Sequence, residues 1–121
     1  MRPRIFLETL DGDGRVVLES YGKGIGDFGA PADSHRAFTV GALAKDSKPQ
    51  VYSNDGSPFG LELVEKPDVR TFDRLGIEGA KNAGGTAMSA GLVGGYAASL
   101  LAHGTKLEDV KKELKRRLKG R

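Results

Sequence analysis

A glycine pair followed by a long uncharged segment most constrains the fold of this chain. Residues 84–101 begin with two glycines and then contain only small, aliphatic, hydroxyl and aromatic side chains, with no charge. Glycine accepts the positive φ of a sharp turn, and glycine within a helix lets a neighbouring element approach closely. The segment therefore predicts a turn that opens a tightly packed, buried helix running from Thr86 or Ala87 to about His103.

A second helix is expected directly after the first. Gly104 stops the uncharged helix, and Thr105 followed three residues later by Glu108 has the pattern of a capping box. Lysine and arginine cluster on one side of this second helix. Its opposite, apolar face consists of Leu107, Val110, Leu114 and Leu118.

The preceding part of the chain favours strands and turns. An Asp-Gly turn between Ile5–Leu10 and Arg15–Ser20 predicts a β-hairpin, because glycine supplies the positive φ that the tight turn needs. A glycine-rich loop follows from Tyr21 to Gly29. Further strands are expected at Ala37–Leu43, Val51–Ser53, Leu61–Val64 and Val69–Phe72.

Length and composition limit the number of domains and the kinds of site that the chain can form. The 121 residues fit one domain, divided into a hairpin and loop (1–29), strands and turns (30–83) and two helices (84–121). The chain has no cysteine, so it forms neither disulfides nor thiolate metal sites. Neither a signal peptide nor a membrane span is recognisable, and the uncharged helix is short and glycine-rich for a span. A soluble protein in no particular compartment is expected.

The order of residues after the glycine pair resembles a known motif. In the subtilisin-like serine proteases (subtilases), the nucleophilic serine lies in Gly-Thr-Ser-Met-(Ala/Ser)-(Ala/Ser)-Pro-His-Val-Ala-Gly. This chain reads Gly-Thr-Ala-Met-Ser-Ala from Gly85, so Ala87 stands at the position of the nucleophile. It also has Gly91-Leu92 where the family usually has Pro-His.

Other segments resemble the same family in the same order along the chain. They correspond to a buried strand ending Val-Gly-Ala, a Phe/Tyr-Ser-Ser-x-Gly turn, a Lys-Pro-Asp-Val segment and the helix after the nucleophile. The matching segments here are Phe38–Ala42, Tyr52–Gly56, Lys66–Val69 and Thr105–Leu114. The amino-terminal hairpin is similar to that of divergent bacterial subtilases, although Asp-Gly hairpins also occur in unrelated folds.

The resemblance implies an α/β fold and a particular set of site residues. The fold would be the carboxy-terminal portion of a doubly wound, mostly parallel sheet, with an amino-terminal hairpin and two carboxy-terminal helices. The Ala87 amide would donate to an oxyanion, Thr86 would support it, and Gly84 and Gly85 would bind a peptide substrate. The family's aspartate, histidine and oxyanion asparagine lie upstream of the matched region. The chain is therefore expected to be the inactive carboxy-terminal segment of a serine endopeptidase.

Two readings of this inactivity stay open. Ala87 is either a deliberate replacement of serine or the natural residue of a pseudoenzyme. In the second case the chain is a non-catalytic subunit that binds or assembles with a peptide or protein.

The remaining polar residues favour structural roles. Ser89 would lie on a different face of the helix from Ala87 and is a poor substitute nucleophile. His103 is expected to cap the last carbonyls of its helix, and His35 to lie in a surface loop. Asp11, Asp13 and Asp55 each precede a glycine and are interpreted as turn formers.

Expectations for cofactors and partners follow. No cofactor is expected, apart from a weak Ca²⁺ or Na⁺ site at backbone carbonyls of Ala30–Asp33, which some subtilases have. Gly22–Gly26 lacks the Gly-Lys-Ser/Thr ending of a phosphate loop. The basic tail is typical of a helix carboxyl end rather than of a nucleic-acid surface. Since the uncharged helix needs more cover than this chain supplies, we expect a companion chain carrying the missing half of the domain, or a homo-oligomer.

Overall fold

The computed structural model of the chain describes residues 28, 30–57, 64–74, 76 and 84–118. The expected amino-terminal hairpin, the glycine-rich loop apart from Phe28, and the expected strand at 61–64 apart from Val64 lie outside these residues. The elements found are, in chain order, β1 (Val40–Leu43), β2 (Val69–Phe72), α1 (Thr86–Ala102) and α2 (Leu107–Leu118).

The two strands form a parallel pair. Val40 lies opposite Val69 and Leu43 opposite Phe72 in the register. The expected strand at Val69–Phe72 is confirmed, and the one expected at Ala37–Leu43 is four residues long and begins at Val40. A parallel pair with helices packed beside it has the mixed α/β content that the sequence predicts.

The prediction of a strand at Val51–Ser53 is wrong. These residues form a turn, closed by a hydrogen bond of 2.9 Å from the Ser53 N–H to the Gln50 carbonyl. The Ser53 hydroxyl oxygen accepts the Ala42 N–H at 2.9 Å, and the Gln50 N–H donates to the Ala42 carbonyl at 2.9 Å. The Ser53 hydroxyl and the Gln50 N–H therefore satisfy the backbone groups of Ala42 on this edge of β1, where a further strand was expected.

Gly41 makes a close approach possible in the middle of β1. A Cβ at this position would lie 2.7 Å from Cγ of Pro67 and 2.9 Å from Oγ of Ser53. Because such distances are well inside van der Waals contact, any larger residue displaces one of these neighbours. Packing thus explains the glycine within the buried Val-Gly-Ala strand.

The core lies between the strands and the two helices. Its buried members come from β2, α1 and α2, and half-buried Phe38, Val40 and Tyr96 pack around them. The buried members are Val69, Val93, Leu100, Val110 and Leu114.

Helix α1 starts and ends where the sequence predicts. It begins at Thr86, after Gly85 with a φ of 112°, and Gly104 beyond its end has a φ of 87°. The Gly104 N–H donates to the Leu101 carbonyl and the Thr105 N–H to the Leu100 carbonyl, both at 3.0 Å. This pair of bonds is a Schellman motif, which needs glycine at the left-handed position.

The start of α2 differs from the expectation. The helix begins at Leu107, two residues after the expected N-cap Thr105, and the Thr105 amide belongs to the closing motif of α1. Val110 and Leu114 are buried as expected and Leu118 is half-buried, whereas Leu107 is 76% exposed. Glu108 and Asp109 in the first turn, and basic residues in the last, have the signs that the helix dipole favours.

Candidate functional site

The four residues expected at the site form the turn into α1 and its first two helical positions. Gly84 and Gly85 form the turn, and Thr86 and Ala87 are exposed in the first turn of the helix. The amides of Met88 and Ser89 bond to the Gly85 carbonyl, at 3.0 and 3.4 Å. The amides of Thr86 and Ala87 precede these bonds, so they are the N–H groups that an α-helix leaves for other acceptors.

Two clefts adjoin this turn. Gly84 and Gly85 line a cleft of about 270 Å³ together with Tyr52 and Arg74. Thr86 lines a second cleft of about 170 Å³, which Tyr52 also lines. The sequence did not single out the Tyr52 or Arg74 side chain for this place, because both come from loops that reach the helix only in the folded chain.

A buried carboxylate fixes the glycine turn. Asp73, directly after β2, is 1% exposed, and its Oδ2 accepts the Gly85 N–H at 3.2 Å. The side-chain amide of Gln50 donates to the same carboxylate at 3.2 and 3.4 Å. A buried carboxylate is costly unless it is hydrogen-bonded, so these three groups depend on one another. Sequence reasoning missed Asp73.

Ser89 fixes the same end of α1 to the sheet. Its side chain is fully buried, and its hydroxyl donates to the Thr71 carbonyl of β2 at 3.1 Å. A hydroxyl that is shielded from solvent and bonded to the backbone is not available to attack a substrate. The geometry therefore agrees with the expectation that Ser89 does not replace a nucleophile at position 87.

The histidines do not approach the start of α1. Nδ1 of His103 lies 2.8 Å from the Ser99 carbonyl oxygen, so this nitrogen carries the proton and caps the helix end as expected. Sixteen residues separate His103 from Ala87, about 24 Å along a helix with a rise of 1.5 Å per residue. His35 is exposed in the loop that precedes β1, in agreement with the sequence.

A second buried charge cluster links α2 to the segment before β2. Lys66 is 2% exposed, and its ammonium donates to the Ala37 carbonyl at 2.6 Å and to Asp68 Oδ2 at 2.7 Å. Asp68 also accepts the Thr39 N–H at 2.8 Å, and its Oδ1 lies 2.9 Å from the ammonium of Lys115 on α2. Lys66 and Asp68 belong to the Lys-Pro-Asp-Val segment noted in the sequence, which gave no sign of this cluster.

The same cluster determines the charge state of Asp68. Burial alone raises the pKa of this carboxyl, but hydrogen bonds from Lys115, Lys66 and the Thr39 amide outweigh it, so the pKa lies below its usual value. Asp68 is consequently ionised when the cluster is intact.

Many basic side chains of α2 donate hydrogen bonds to other groups of the same chain. Arg116 and Arg117 both donate to Glu113, and their hydrogen bonds, with that of Arg116 the stronger influence, lower the pKa of Glu113 to about 2. Arg117 also donates to the Tyr96 hydroxyl at 2.6 Å, and the Lys111 ammonium donates to the Arg36 carbonyl at 3.0 Å. A polyanion would compete with these contacts.

The turn and loop predictions can be compared directly at two places. Asp55 accepts the Gly56 N–H at 2.9 Å and Gly56 has a φ of 101°, but Gly56 also pairs with Lys66 in an antiparallel bridge, so the role of Asp55 as a turn former stays a prediction. Near the expected cation site, the carbonyls of Pro31 and Ala32 accept hydrogen bonds from the Ser34 N–H and the Thr39 hydroxyl. Over the described part of the chain, His, Asp and Glu side chains form no group of three that could hold a metal. The cation site stays a prediction.

No described helix combines the length and the apolar character that a membrane span requires.

Comparisons with known proteins identify no relative of this chain. Protein-family models, curated proteins and solved structures give no match to this chain.

Proposed function

We propose that this chain is the carboxy-terminal portion of a subtilisin-like serine endopeptidase domain, with Ala87 in place of the nucleophilic serine. The observation that carries the proposal is the position of Ala87, exposed in the first turn of α1 and directly after the Gly84-Gly85 turn. A side chain at this position points to solvent beside two backbone amides, the setting that favours an attacking group and a developing oxyanion.

The environment of the turn supports the same proposal. A parallel strand pair ends beside the helix start, and Asp73 and Ser89 connect that start to β2 at 3.2 and 3.1 Å. Residues that must not move during catalysis are best placed on rigid elements with buried hydrogen bonds behind them. The cleft bordered by Gly84, Gly85 and Tyr52 is where a peptide would lie.

The chain alone does not hydrolyse peptides in this account. The methyl group of Ala87 cannot form a covalent bond to a carbonyl carbon, and His103 lies beyond the far end of α1. A general base and the acid that orients it are both needed to activate a serine. These groups, and the oxyanion asparagine, would come from a companion chain that carries the upstream half of the domain.

A non-catalytic binding or assembly subunit is the second candidate. The observation that favours it is the exposed, uncharged surface of α1, on which Leu92 and Leu101 are 40% and 43% exposed. Large exposed apolar areas usually mark an interface with another protein. In this case Ala87 is the natural residue and the frame of the site binds without reacting.

Restoring the nucleophile separates the two candidates. The Ala87→Ser variant, assembled with the companion chain encoded upstream, is treated with a fluorophosphonate probe and analysed by peptide mass mapping. The endopeptidase proposal predicts a covalent adduct on position 87. The unmodified chain is the matched control, because it already contains buried Ser89 and exposed Ser99 on the same helix. An assembled variant without an adduct contradicts the proposal and favours the binding subunit.

A further inference from the structure

Arg74 brings a positive charge to the cleft beside the glycine turn. It follows Asp73 after the end of β2, it is exposed, and it lines the cleft of about 270 Å³ with Tyr52, Gly84 and Gly85. A Cβ on Gly84 would lie 3.5 Å from Cγ of Arg74 and 3.7 Å from its Nε. The arginine side chain therefore runs alongside the turn, with Nε of its guanidinium group next to Gly84.

Arg74 also lines a second cleft, at the carboxyl ends of the two strands. This cleft of about 220 Å³ has Lys45 in its lining, together with Leu43 and Phe72 at the strand ends. In open α/β sheets, ligands bind outside the carboxyl ends of parallel strands. Each of the two clefts therefore has a cation in its lining, at an end of the sheet where ligands usually bind.

The acids nearest to these cations in sequence are bonded to other groups. Asp73 is 1% exposed, and its carboxylate accepts hydrogen bonds from a side-chain amide and from the glycine turn. Asp46 forms an ion pair with Lys48 at 3.2 Å. Within the described part of the chain, neither Lys45 nor Arg74 forms an ion pair. On balance the charged residues that line the two clefts are positive, which favours an anionic ligand.

The size of the clefts limits what the charge can bind. Pockets for drug-sized molecules have about 300–1,000 Å³, and each cleft here is smaller. A guanidinium group presents a planar fork of N–H donors that matches the two oxygens of a carboxylate. The clefts therefore suit a single acidic side chain or a small anion.

We propose that Arg74 makes the site selective for peptides that place a glutamate or aspartate side chain in the cleft beside the glycine turn. This inference rests on the proposed function, because it takes from it that a peptide lies in this cleft. A Cβ on Gly85 would have no heavy atom within 4 Å, so a peptide backbone has room to pass the turn. The peptide carboxylate pairs with the Arg74 guanidinium, and Lys45 in the adjoining cleft adds to the positive potential.

An NMR titration of the full, unmodified chain tests the selectivity. The probes are acetyl-Ala-Glu-Ala-amide and acetyl-Ala-Gln-Ala-amide, which differ only in the charge of the central side chain. The amide signals of Gly84 and Gly85 should give a dissociation constant about fivefold lower for the glutamate peptide, which corresponds to about 1 kcal/mol, the upper end for an exposed ion pair. Added sodium chloride should reduce this preference, because salt screens exposed charges.

Substitutions at position 74 test whether this side chain causes the preference. Arg74→Gln should bind the two peptides equally, whereas Arg74→Lys, which keeps the charge without the planar fork, should retain part of the preference. Arg36→Gln makes the same change at an exposed arginine in the loop before β1 and should leave the preference as it is. Equal binding of both peptides by the unmodified chain, or an undiminished preference in Arg74→Gln, overturns the proposal.

Sodium acetate distinguishes a peptide from a simple anion. If acetate shifts the Gly84 and Gly85 signals with the same dissociation constant as the glutamate peptide, the cleft binds anions without selecting peptides, and the proposal is wrong. The result is also separable from the peptidase test. A glutamate preference in a chain whose Ala87→Ser variant does not react with the fluorophosphonate supports this inference and contradicts the peptidase proposal. A reactive variant without the preference does the reverse.

Discussion

The Asp73 carboxylate accepts a hydrogen bond from the Gly85 backbone N–H at 3.2 Å, and this contact joins the end of β2 to the turn that opens α1. The carboxylate is buried and the Gln50 side chain is its other partner. The position of the candidate site therefore depends on an acid that lies outside the site motif.

Replacement of Asp73 tests this dependence. Asp73→Ala leaves the Gly85 N–H and the Gln50 amide without their acceptor, and each unsatisfied buried group costs about 1–3 kcal/mol. We expect the free energy of unfolding in urea to fall by at least about 2 kcal/mol, whereas Asp73→Asn, which keeps one acceptor oxygen, should lose less. Asp46→Ala, at an exposed ion pair with Lys48, is the control and should change stability little. Equal effects of Asp73→Ala and Asp46→Ala would show that the buried contact is unimportant.

Alanine in place of Gly41 should lower the stability of the chain, and alanine in place of Gly94 should raise it. Gly41→Ala places a methyl group 2.7 Å from Pro67 Cγ, and overpacking of this kind costs about 1–3 kcal/mol. Gly94→Ala meets open space within a helix and should stabilise the chain by about 0.5–1 kcal/mol. Thermal and urea unfolding of both variants check the prediction. A Gly41→Ala variant as stable as the unmodified chain would contradict the close packing against Pro67.

The Asp68 cluster predicts a loss of stability in acid. Because the pKa of Asp68 is lower in the folded chain than its ordinary value of 3.8, its contribution is complete above pH 3.8 and is lost as the pH falls through the folded value. Asp68→Asn should remove this part of the pH dependence and, by leaving the Lys66 ammonium without its carboxylate, cost about 3 kcal/mol near neutral pH. Urea midpoints measured across the acid range give both quantities. Asp46→Asn, at an exposed position, is the control. An Asp68→Asn variant whose stability falls in acid as steeply as that of the unmodified chain would show that this loss of stability does not come from Asp68.

How far the sequence predicts this fold depends on how local each signal is. The limits of α1 follow from Gly85 and Gly104, whose positive φ values are needed at its two ends, and β2 follows from a short run of β-favouring residues. The Val51–Ser53 strand is wrong because the Ser53 hydroxyl, a tertiary partner, satisfies Ala42 in its place. The exposure of Leu107 likewise depends on how α2 is placed rather than on helical spacing.

The residues of the candidate site also differ in how far the sequence predicts them. Gly84, Gly85, Thr86 and Ala87 are adjacent in sequence, so their arrangement at a helix start could be predicted from the motif. Asp73 and Lys66 could not be recognised, since a charged residue is buried only where distant groups such as Gln50 or the Ala37 carbonyl supply its hydrogen bonds.

The central claim is that position 87 is an exposed site at which a helix amino terminus stabilises an anion, and a thiol placed there tests it most directly. Ala87→Cys introduces the only cysteine of the chain, and the rate of its alkylation as a function of pH gives its pKa. Thiols at helix amino termini titrate well below the ordinary value of about 8.5. We predict a reactive thiol with a pKa at least about one unit below that of Gly95→Cys, an exposed control near the middle of α1 where a new side chain meets open space. Equal pKa values for the two thiols, or a thiol at position 87 that does not react in the folded chain, would contradict the account.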